Sequence, residues 1–324
     1  MEITDPIYGP IEITEPVLLE LIETPAMQRL KGVDQNSVGG ISKKPWGKFS
    51  RFDHSIGAMF LVAKLGGALE EQIAALLHDI SHTAFSHAMD FVFDARVSQD
   101  FHEKHIERII AKSNIPEILK KYGYDNARIL NHHNFSILEQ DLPALCADRV
   151  DYALKTFFTS FRSPLELMRR FLHDLALADG KMAFQNKNLA REFADMFLRG
   201  DIEIWGGSYF GNTIYHMFAE IVKKANARGE ITLDDFFTTD QEFMDKLGLE
   251  TQKEIDELRK LEFKEVTAQD PHDLHLSAKI RYVDPPVLLD GNLRKLSEID
   301  QEFASRLAEF LARRKLGNYV KIIS

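Results

Sequence analysis

Residues 73 to 90 read IAALLHDISHTAFSHAMD, and they constrain this chain more than any other stretch. An apolar run with helical spacing ends there in an adjacent histidine and aspartate, His78 and Asp79. Neighbouring side chains on a helix point about 100° apart, so such a pair contributes little to ordinary core packing. An imidazole nitrogen and a carboxylate oxygen from consecutive positions are, however, ligands that one cation can share. The stretch therefore predicts a metal site at the end of a helix.

Two residues outside this stretch complete a set of metal ligands. His54 and Asp148 each lie near the start of a predicted helix, and with His78 and Asp79 they form a mixed nitrogen and oxygen set contributed by three helices. Four protein ligands leave open positions on a six-coordinate ion for water and a phosphate oxygen, and metal binding lowers the pKa of water towards neutrality. We therefore expect a divalent metal ion: Mn, Fe, Mg, Ni, Co or Zn.

The histidines after the doublet predict proton transfer. Asp90 lies three residues after His87. If a helix continues through both, the carboxylate orients the ring and raises its basicity, as a general acid or base requires. His82 and His102 are further candidates for contact with phosphate or transfer of a proton. Two arginines next to predicted ligands are placed to hold phosphate oxygens through charge-assisted hydrogen bonds: Arg51 and Arg149.

Charge and composition exclude several classes of protein. The 324 residues carry a formal net charge of −10, which argues against stable binding of nucleic acid through its phosphates. A single cysteine, Cys146, excludes a disulfide framework or a cysteine metal cluster, and we assign it to the core. Neither a signal peptide nor a run of eighteen apolar residues is present, so we expect a cytoplasmic protein without membrane contact.

The chain predicts a mainly α fold with small β-hairpin insertions. Gly9-Pro10 predicts the turn of a first hairpin, and residues 36–50 lack periodicity and predict a loop. The period changes near residue 172, after which a hairpin, further helices and a late strand at 277–289 are predicted. We predict a site-bearing part, 1–172, and a mostly helical packing or lid part with short β elements, 173–324.

The remaining histidine pairs are assigned to structural or solvent-exposed positions. His132 and His133 are adjacent, and we favour structural roles for both. His272 and His275, in DPHDLH, resemble a metal motif only superficially and are predicted to lie in a solvated loop.

The wording around these residues resembles a known family. RFDHSIG, LLHDISHTAFSHAMD and ADRVDY are similar to the signature of the HD-domain phosphohydrolases, whose ligands are spaced H…HD…D. With DPIYGPIEI, ETPAMQRL and FHEKH they form six blocks, in order, across residues 5 to 152. These blocks resemble the dNTP triphosphohydrolase branch, which includes the deoxyguanosine triphosphatases and the SAM-and-HD-domain enzymes. The resemblance implies a helical HD core with a helical C-terminal part.

The resemblance also implies a reaction and a role for each motif residue. In that branch a metal-activated water attacks the α-phosphorus of a deoxynucleoside triphosphate, which yields a deoxynucleoside and inorganic triphosphate. His87 would protonate the leaving 5′ oxygen, while Gln35 and Tyr152 would face the sugar. Relatives form oligomers, so we expect a homo-oligomer. By motif, the metal ligands would be His54, His78, Asp79 and Asp148; the transition-state and proton-transfer residues His82, His87, Asp90 and His102; and the phosphate ligands Arg51 and Arg149.

Two departures from the family pattern keep other functions open. Thr156 stands where relatives often have an aspartate that contacts the sugar hydroxyl. Near Tyr209, relatives carry basic residues that hold substrate or an activating nucleotide. This chain reads WGGSYFGN there, with Gly206, Gly207, Gly211 and Asn212. One alternative is a phosphatase or phosphodiesterase acting on nucleoside monophosphates, cyclic nucleotides or signalling nucleotides. A second alternative is a nucleotide-binding regulator without turnover.

Overall fold

A computed structural model describes residues 1–42, 44 and 46–323, so Lys43 and Pro45 of the predicted loop lie outside the described residues. Helices account for most of the regular structure, which confirms the mainly α prediction. None of the described helices has both the length and the apolar content to cross a membrane. The helices are α1 (Pro16–Ile22), α2 (Pro25–Arg29), α3 (Val38–Ile41), α4 (Arg51–Lys64), α5 (Leu69–Leu77), α6 (Ala88–Val92), α7 (Ile106–Ala111), α8 (Ile115–Lys121), α9 (Asn126–Leu130), α10 (Ala147–Thr159), α11 (Leu165–Asp174), α12 (Lys187–Glu203), α13 (Tyr209–Ala227), α14 (Asp240–Lys246), α15 (Leu249–Leu258), α16 (Leu296–Ile299) and α17 (Gln301–Arg314).

The described strands form three small sheets. An N-terminal antiparallel hairpin pairs β1 with β2. A four-stranded sheet has the order β3-β4-β7-β8, in which β4 and β7 are parallel, and a three-stranded antiparallel sheet has the order β5-β9-β6. The strands are β1 (Glu2–Asp5), β2 (Gly9–Glu12), β3 (Leu175–Ala178), β4 (Lys181–Phe184), β5 (Phe263–Val266), β6 (Leu274–Leu276), β7 (Pro286–Leu289), β8 (Asn292–Lys295) and β9 (Asn318–Ile322).

The C-terminal part is richer in sheet than predicted. The predicted hairpin near Asp179-Gly180 is present as β3 and β4. It is extended, however, by β7, which pairs with β4 from about a hundred residues further along the chain. Strands of three to five residues carry little periodicity of their own, and pairing across such a separation leaves no local signal.

The turn of the first hairpin was predicted two or three residues too late. Asp5 pairs with Gly9, so residues 6–8 make the turn and Gly9-Pro10 begins β2. The Asp5 carboxylate accepts hydrogen bonds from the backbone N–H groups of Ile7 and Tyr8, at 2.8 and 3.0 Å, and this Asx-type contact fixes the turn. Pro10 fits within the strand because the two-stranded hairpin leaves an edge where no N–H is needed.

The predicted strand over 277–289 is only partly present. β7 covers 286–289, whereas residues 277–285 adopt neither helix nor strand. The backbone N–H of Arg281, in the middle of this segment, donates to Asp201 Oδ1 at 3.0 Å instead of pairing with a strand. Pro285 and Pro286 contribute no N–H for a ladder.

The buried side chains form two clusters. The larger joins the N-terminal hairpin, α1, α4, α5 and α10 to α12 and α17. The smaller packs α6 against α13, α14 and α15. The division at residue 172 stays a prediction.

Candidate metal centre and its cavity

His54, His78 and Asp148 meet at the junction of α4, α5 and α10. His54 Nε2 lies 2.9 Å from Asp148 Oδ1 and 3.2 Å from His78 Nε2. All three donor atoms lie within 4.8 Å of one another, and both rings are buried. Two nitrogen lone pairs and a carboxylate oxygen at this spacing could hold one cation.

Both histidines have their other ring nitrogen fixed by an acceptor. His78 Nδ1 donates to the carbonyl oxygen of Ala75 at 2.7 Å, and His54 Nδ1 donates to Asp151 Oδ2 at 2.7 Å. Each ring therefore directs Nε2 towards the shared space, which is the orientation a metal ligand needs. The residues present fit a divalent metal ion.

A buried network supports the His54 ring from behind. Asp151 is fully buried and accepts hydrogen bonds from Tyr8 Oη and Lys155 Nζ, each at 2.7 Å, in addition to that from His54. Lys155 Nζ also lies 3.4 Å from Asp5 Oδ2. The N-terminal hairpin thus contributes directly to the orientation of a predicted ligand.

Asp79 lies beside this group rather than within it. Its two carboxylate oxygens are each 3.6 Å from a histidine Nε2, Oδ2 from that of His54 and Oδ1 from that of His78. Asp79 Oδ2 also accepts a hydrogen bond from Arg51 Nη1 at 2.7 Å. Burial raises the pKa of Asp79, but the charges of Arg51, His78 and His54 outweigh it and hold this carboxylate ionised.

Arg51 is positioned by the start of α4. Ser50 caps the helix and forms a capping box with Asp53, in which each side chain accepts from the other residue's backbone N–H. The Arg51 side chain is buried and donates through Nε to Ser86 Oγ at 3.0 Å. Its Nη2 has no hydrogen-bond partner within the described part of the chain, so it is available to an anion that enters the cavity.

A tight turn connects α5 to α6 and carries the next two histidines. The predicted helix does not continue past His78: residues 79–87 form successive turns, with Phe85 and Ser86 at φ of 56° and 43°. Non-glycine residues in the left-handed region cost of order 1 kcal/mol or more each and persist where the surroundings over-determine them. Here the Phe85 N–H donates to Asp240 Oδ1 at 2.7 Å, while Arg29 donates to two carbonyl groups of the turn.

His82 and His102 stack on each other. Their ring centroids are 3.7 Å apart at an interplanar angle of 20°, and both side chains are buried. His82 Nε2 lies 3.4 Å from Asp79 Oδ1. Burial, followed by the charges of Arg51 and His102, lowers the pKa of His82 well below its ordinary value. For His102 burial outweighs the attraction of Asp79, and the pKa falls to about 3. Both rings are neutral at neutral pH.

His87 and Asp90 form the predicted dyad, although His87 caps α6 rather than continuing a helix from α5. His87 Nδ1 lies 2.8 Å from Asp90 Oδ2. Burial, followed by the charge of Arg281, lowers the pKa of His87 well below its ordinary value. Burial raises the pKa of Asp90 to about 7. His87 lines the cavity, and its Nε2 lies 3.5 Å from Arg281 Nη2.

The donor set opens into a cavity of about 310 Å³. Every predicted site residue except His54 and Asp90 lines it, and those two lie directly behind lining residues. Gln35 Oε1 is buried without a partner among the described residues, as expected for a group that awaits a ligand. Arg149 is more constrained than predicted, since its guanidinium already donates to the carbonyl oxygens of Ala144 and Gln140, at 2.6 and 3.0 Å.

The other assigned residues divide between cavity and exterior. His132 and His133 line the cavity, and burial lowers the pKa of His132 to about 4. His272 and His275 are exposed and lie against Tyr319, with His275 in β6 rather than in a loop. Cys146 is fully buried, and burial raises the pKa of its thiol. Thr156 is buried one helical turn beyond Tyr152.

Several residues of the site were missed in the sequence. Asp151 lies three residues after Asp148 on α10, so helical spacing could have placed it on the same face. Tyr8 and Arg281 approach from distant elements and carry no such signal. The missed residues are Tyr8, Asp151 and Lys155 behind the donor set and Gln99, Trp205, Tyr215, Lys279 and Arg281 on the cavity wall.

Comparison with known proteins identifies the family of the segment that contains these residues. The model of the HD domain family matches residues 51–154, which contain all four predicted metal ligands. The uncharacterised protein YdhJ of Bacillus subtilis is 34% identical over 100% of this chain and 99% of its own length. The metal-dependent phosphohydrolase cns2 of Cordyceps militaris is 30% identical over 88% of this chain and 84% of its own.

Two further comparisons concern a narrower match and the fold. The deoxynucleoside triphosphate triphosphohydrolase SAMHD1 of Homo sapiens is 35% identical over 37% of this chain, and the match spans 22% of its length. A crystal structure of a hypothetical protein from Aquifex aeolicus superposes with a TM-score of 0.64 over 94% of this chain and 93% of that one, at 20% identity. The second likeness concerns the fold alone.

Proposed function

We propose that the substrates of this chain, which belongs to the HD-domain metal-dependent phosphohydrolases and uses a divalent metal ion, are nucleotides. Specifically, we propose that it converts a deoxynucleoside triphosphate into a deoxynucleoside and inorganic triphosphate. One observation carries the proposal. The residues around a single cavity include His and Asp donors that could hold a cation, an arginine donor without a partner among the described residues, and a hydrogen-bonded His–Asp pair.

The metal ligands in this proposal are His54, His78, Asp79 and Asp148. A divalent cation there supplies Lewis-acid chemistry, which neutralises phosphoryl charge and lowers the pKa of water. The carboxylates of Asp79 and Asp148 remain ionised, and the two Nε2 atoms are already oriented by Ala75 and Asp151.

Arg51 holds the reacting phosphate. Its Nη1 is committed to Asp79, so the guanidinium is fixed next to the donor set while Nη2 stays free to donate to a phosphoryl oxygen. A donor fixed before the substrate arrives stabilises charge that develops in the transition state without reorganisation. Arg149 contributes positive charge to the cavity lining, and its guanidinium donates to the carbonyl oxygens of Ala144 and Gln140.

His87 is the proposed general acid. The bond that breaks joins the α-phosphorus to the 5′ oxygen, water supplies the oxygen that bonds to phosphorus, and His87 Nε2 delivers the proton to the leaving oxygen. Asp90 fixes the ring through Nδ1. His87 is neutral before substrate binds, and the negative charge of a bound phosphate raises the pKa of the ring, so proton uptake accompanies binding. His82 and His102, both neutral, contact phosphate oxygens from the neighbouring wall.

The substrate assignment draws on the SAMHD1 match and on the free polar atoms of the cavity. The name of that relative specifies deoxynucleoside triphosphates, and the match covers 37% of this chain. Gln35, with its unpartnered oxygen, and Tyr152, beside Trp205 at a ring-centroid distance of 5.0 Å, would face the sugar.

A phosphatase or phosphodiesterase on other nucleotides is the second candidate. The relative cns2 matches most of this chain, and its name, metal-dependent phosphohydrolase, does not mention deoxynucleotides. Thr156, in place of an aspartate, also removes a group that would select the sugar.

Product analysis distinguishes the candidates. Protein loaded in turn with several divalent metals is incubated with all four dNTPs, the corresponding monophosphates and cyclic nucleotides, and the products are separated by chromatography. Release of inorganic triphosphate with an equal amount of deoxynucleoside supports the proposal. Orthophosphate or a nucleotide product supports the second candidate. Binding of nucleotides without hydrolysis of any member of the panel supports a regulator. His272→Ala serves as the control because that histidine is exposed and outside the cavity.

A further inference from the structure

The segment 277–285, between β6 and β7, brings two cations to the cavity wall. Lys279 and Arg281 both line the cavity, although they lie more than a hundred residues beyond the HD domain match, which ends at residue 154. The segment has no regular secondary structure, so its path is set by side-chain contacts and not by a ladder.

Arg281 is held in place by its backbone and directs its side chain to the dyad. Its N–H donates to Asp201 Oδ1 at 3.0 Å, and the fully buried Asp201 is itself paired with Arg314 through Oδ2 at 2.5 Å. The guanidinium donates to Gln99 Oε1, and its Nη2 lies 3.5 Å from His87 Nε2. A cation therefore adjoins the ring nitrogen assigned to proton transfer.

Within the described residues, neither Lys279 nor Arg281 forms a salt bridge. No carboxylate of the described residues lies within 4.0 Å of the charged atoms of Lys279 or Arg281, whereas Arg51 is paired with Asp79. Partial burial and then the charge of Arg281 lower the pKa of Lys279. Glu103 also lines the cavity, and its charge acts on Lys279 without forming a salt bridge with it. Two cations that face one cavity and form no salt bridge can both contact an anion that enters it.

Two glycines make room for the segment. A Cβ added at Gly206 would lie 2.1 Å from the carbonyl oxygen of Lys279, and one added at Gly207 would lie 2.6 Å from Asp201 Oδ2. Any side chain at position 206 would push the segment out of the wall. The WGG sequence itself has no basic residue, but its first glycine, Gly206, lies against the segment that carries Lys279 and Arg281.

We propose that Lys279 and Arg281 form an anion subsite for a second phosphate of the substrate, so that the site selects di- and triphosphates over monophosphates. This proposal rests on the proposed function. The leaving 5′ oxygen and the oxygen that leads to the next phosphate are bonded to the same α-phosphorus. A cation next to His87 therefore reaches the next phosphate in the chain while His87 reaches the leaving oxygen.

Direct binding of inorganic triphosphate and orthophosphate tests this subsite without requiring turnover. Metal-loaded wild type, Lys279→Gln, Arg281→Gln and the double variant are titrated calorimetrically with each anion, and metal content is measured in parallel. Loss of a charge-assisted hydrogen bond predicts that Arg281→Gln raises the Kd for triphosphate about tenfold or more, with a larger rise in the double variant. The Kd for orthophosphate changes less than the Kd for triphosphate, and the metal content stays that of the wild type. Arg281→Lys, which keeps the charge, retains part of the affinity.

Two further variants make the result specific to the subsite. Lys315→Gln removes an exposed positive charge just after α17 and leaves both affinities unchanged. Gly206→Ala leaves both cations in the chain but displaces the segment, and it weakens triphosphate binding as Arg281→Gln does. An unchanged Kd for triphosphate in the folded, metal-loaded double variant overturns the subsite.

The nucleotide panel separates this outcome from failure of the proposed function. If the wild type binds triphosphate through these two residues yet hydrolyses no dNTP, the subsite stands and the function fails. If dNTPs are hydrolysed with unchanged KM in the double variant, the function stands and the subsite fails.

Discussion

Histidines lie in two regions around the cavity, and their pKa values shift in opposite directions. At the donor set, burial lowers the pKa of His78, but the charges of Asp79 and Asp148 outweigh it and raise that pKa to about 9. Around His82, His87 and His102 no carboxylate outweighs burial, and the pKa values of these three histidines fall well below that of free histidine. Neighbouring charge therefore decides the direction in which the pKa of each of these histidines shifts.

This difference gives the substrate a direction. Carboxylates cluster around His54 and His78, while Lys279 and Arg281 lie beyond His87. In the proposed function, a metal ion binds next to His54 and His78, and phosphate oxygens extend towards Lys279 and Arg281. The predictions below test each end separately.

Loss of a metal ligand should have the largest effect. His78→Ala and Asp79→Ala each remove a proposed metal ligand. Changes to residues that only support a ligand lower metal affinity by up to about 100-fold, so we expect these two variants to lose more than that. Turnover should fall to background. Metal content measured by mass spectrometry, with circular dichroism to show that the helices remain folded, checks this. Unchanged metal content in both variants would contradict the ligand assignment.

Removal of the acid should spare the metal. His87→Ala acts at the opposite end, so the protein is expected to keep its metal while kcat falls about 10²- to 10⁴-fold. Steady-state kinetics on the best substrate of the panel, with His272→Ala alongside, measures the effect. Rates near those of wild type would refute the acid role of His87.

Asp151 should act on the metal only through His54. Asp151→Asn weakens the acceptor that fixes the His54 ring, and changes of this kind cost about 10- to 100-fold in metal affinity. Tyr8→Phe removes one hydrogen bond to Asp151 and leaves its charge, so it should reduce the affinity less. Competition with a chelator gives both affinities. Equal metal affinities in Asp151→Asn and wild type would show that the network serves folding alone.

The pH dependence of metal binding should be the mildest effect. The raised pKa of His78, about 9, means that its ring carries a proton below that pH, and a metal must displace this proton. Affinity should therefore rise with pH, by up to about tenfold per unit for this one proton, and level off above about pH 9. Dissociation constants from chelator competition between pH 6 and 10 test the sign. An affinity that is flat or falls over this range would contradict it.

The donor set could be predicted from the sequence because its evidence is local. His78 and Asp79 are consecutive, and His54 and Asp148 each lie in a short motif near a helix start. The helical fold followed from long periodic segments such as α12 and α13. Each motif and each helical period extends over only a few neighbouring residues of the sequence.

The cation-rich end could not be predicted, because tertiary contacts create it. Arg281 lies 194 residues after His87, and its segment resembled a strand because apolar and polar residues alternate in it. The turn at Phe85 and Ser86 has backbone angles that glycine normally adopts, and it is fixed by Asp240 and Arg29 from elsewhere in the chain. From the sequence, Gly206 indicated the loss of a basic residue that contacts substrate in relatives. In the structure, its missing side chain leaves room for the segment 277–285, which carries Lys279 and Arg281.

Hydrolysis in water enriched in oxygen-18 tests most directly the claim that substrate lies with its α-phosphorus at the metal end and its leaving oxygen at His87. The metal-loaded protein is incubated with the preferred dNTP, and the products are examined by mass spectrometry. Attack at the α-phosphorus places the label in inorganic triphosphate and leaves the deoxynucleoside unlabelled. Label in orthophosphate, or in the 5′ hydroxyl of the deoxynucleoside, would contradict this account.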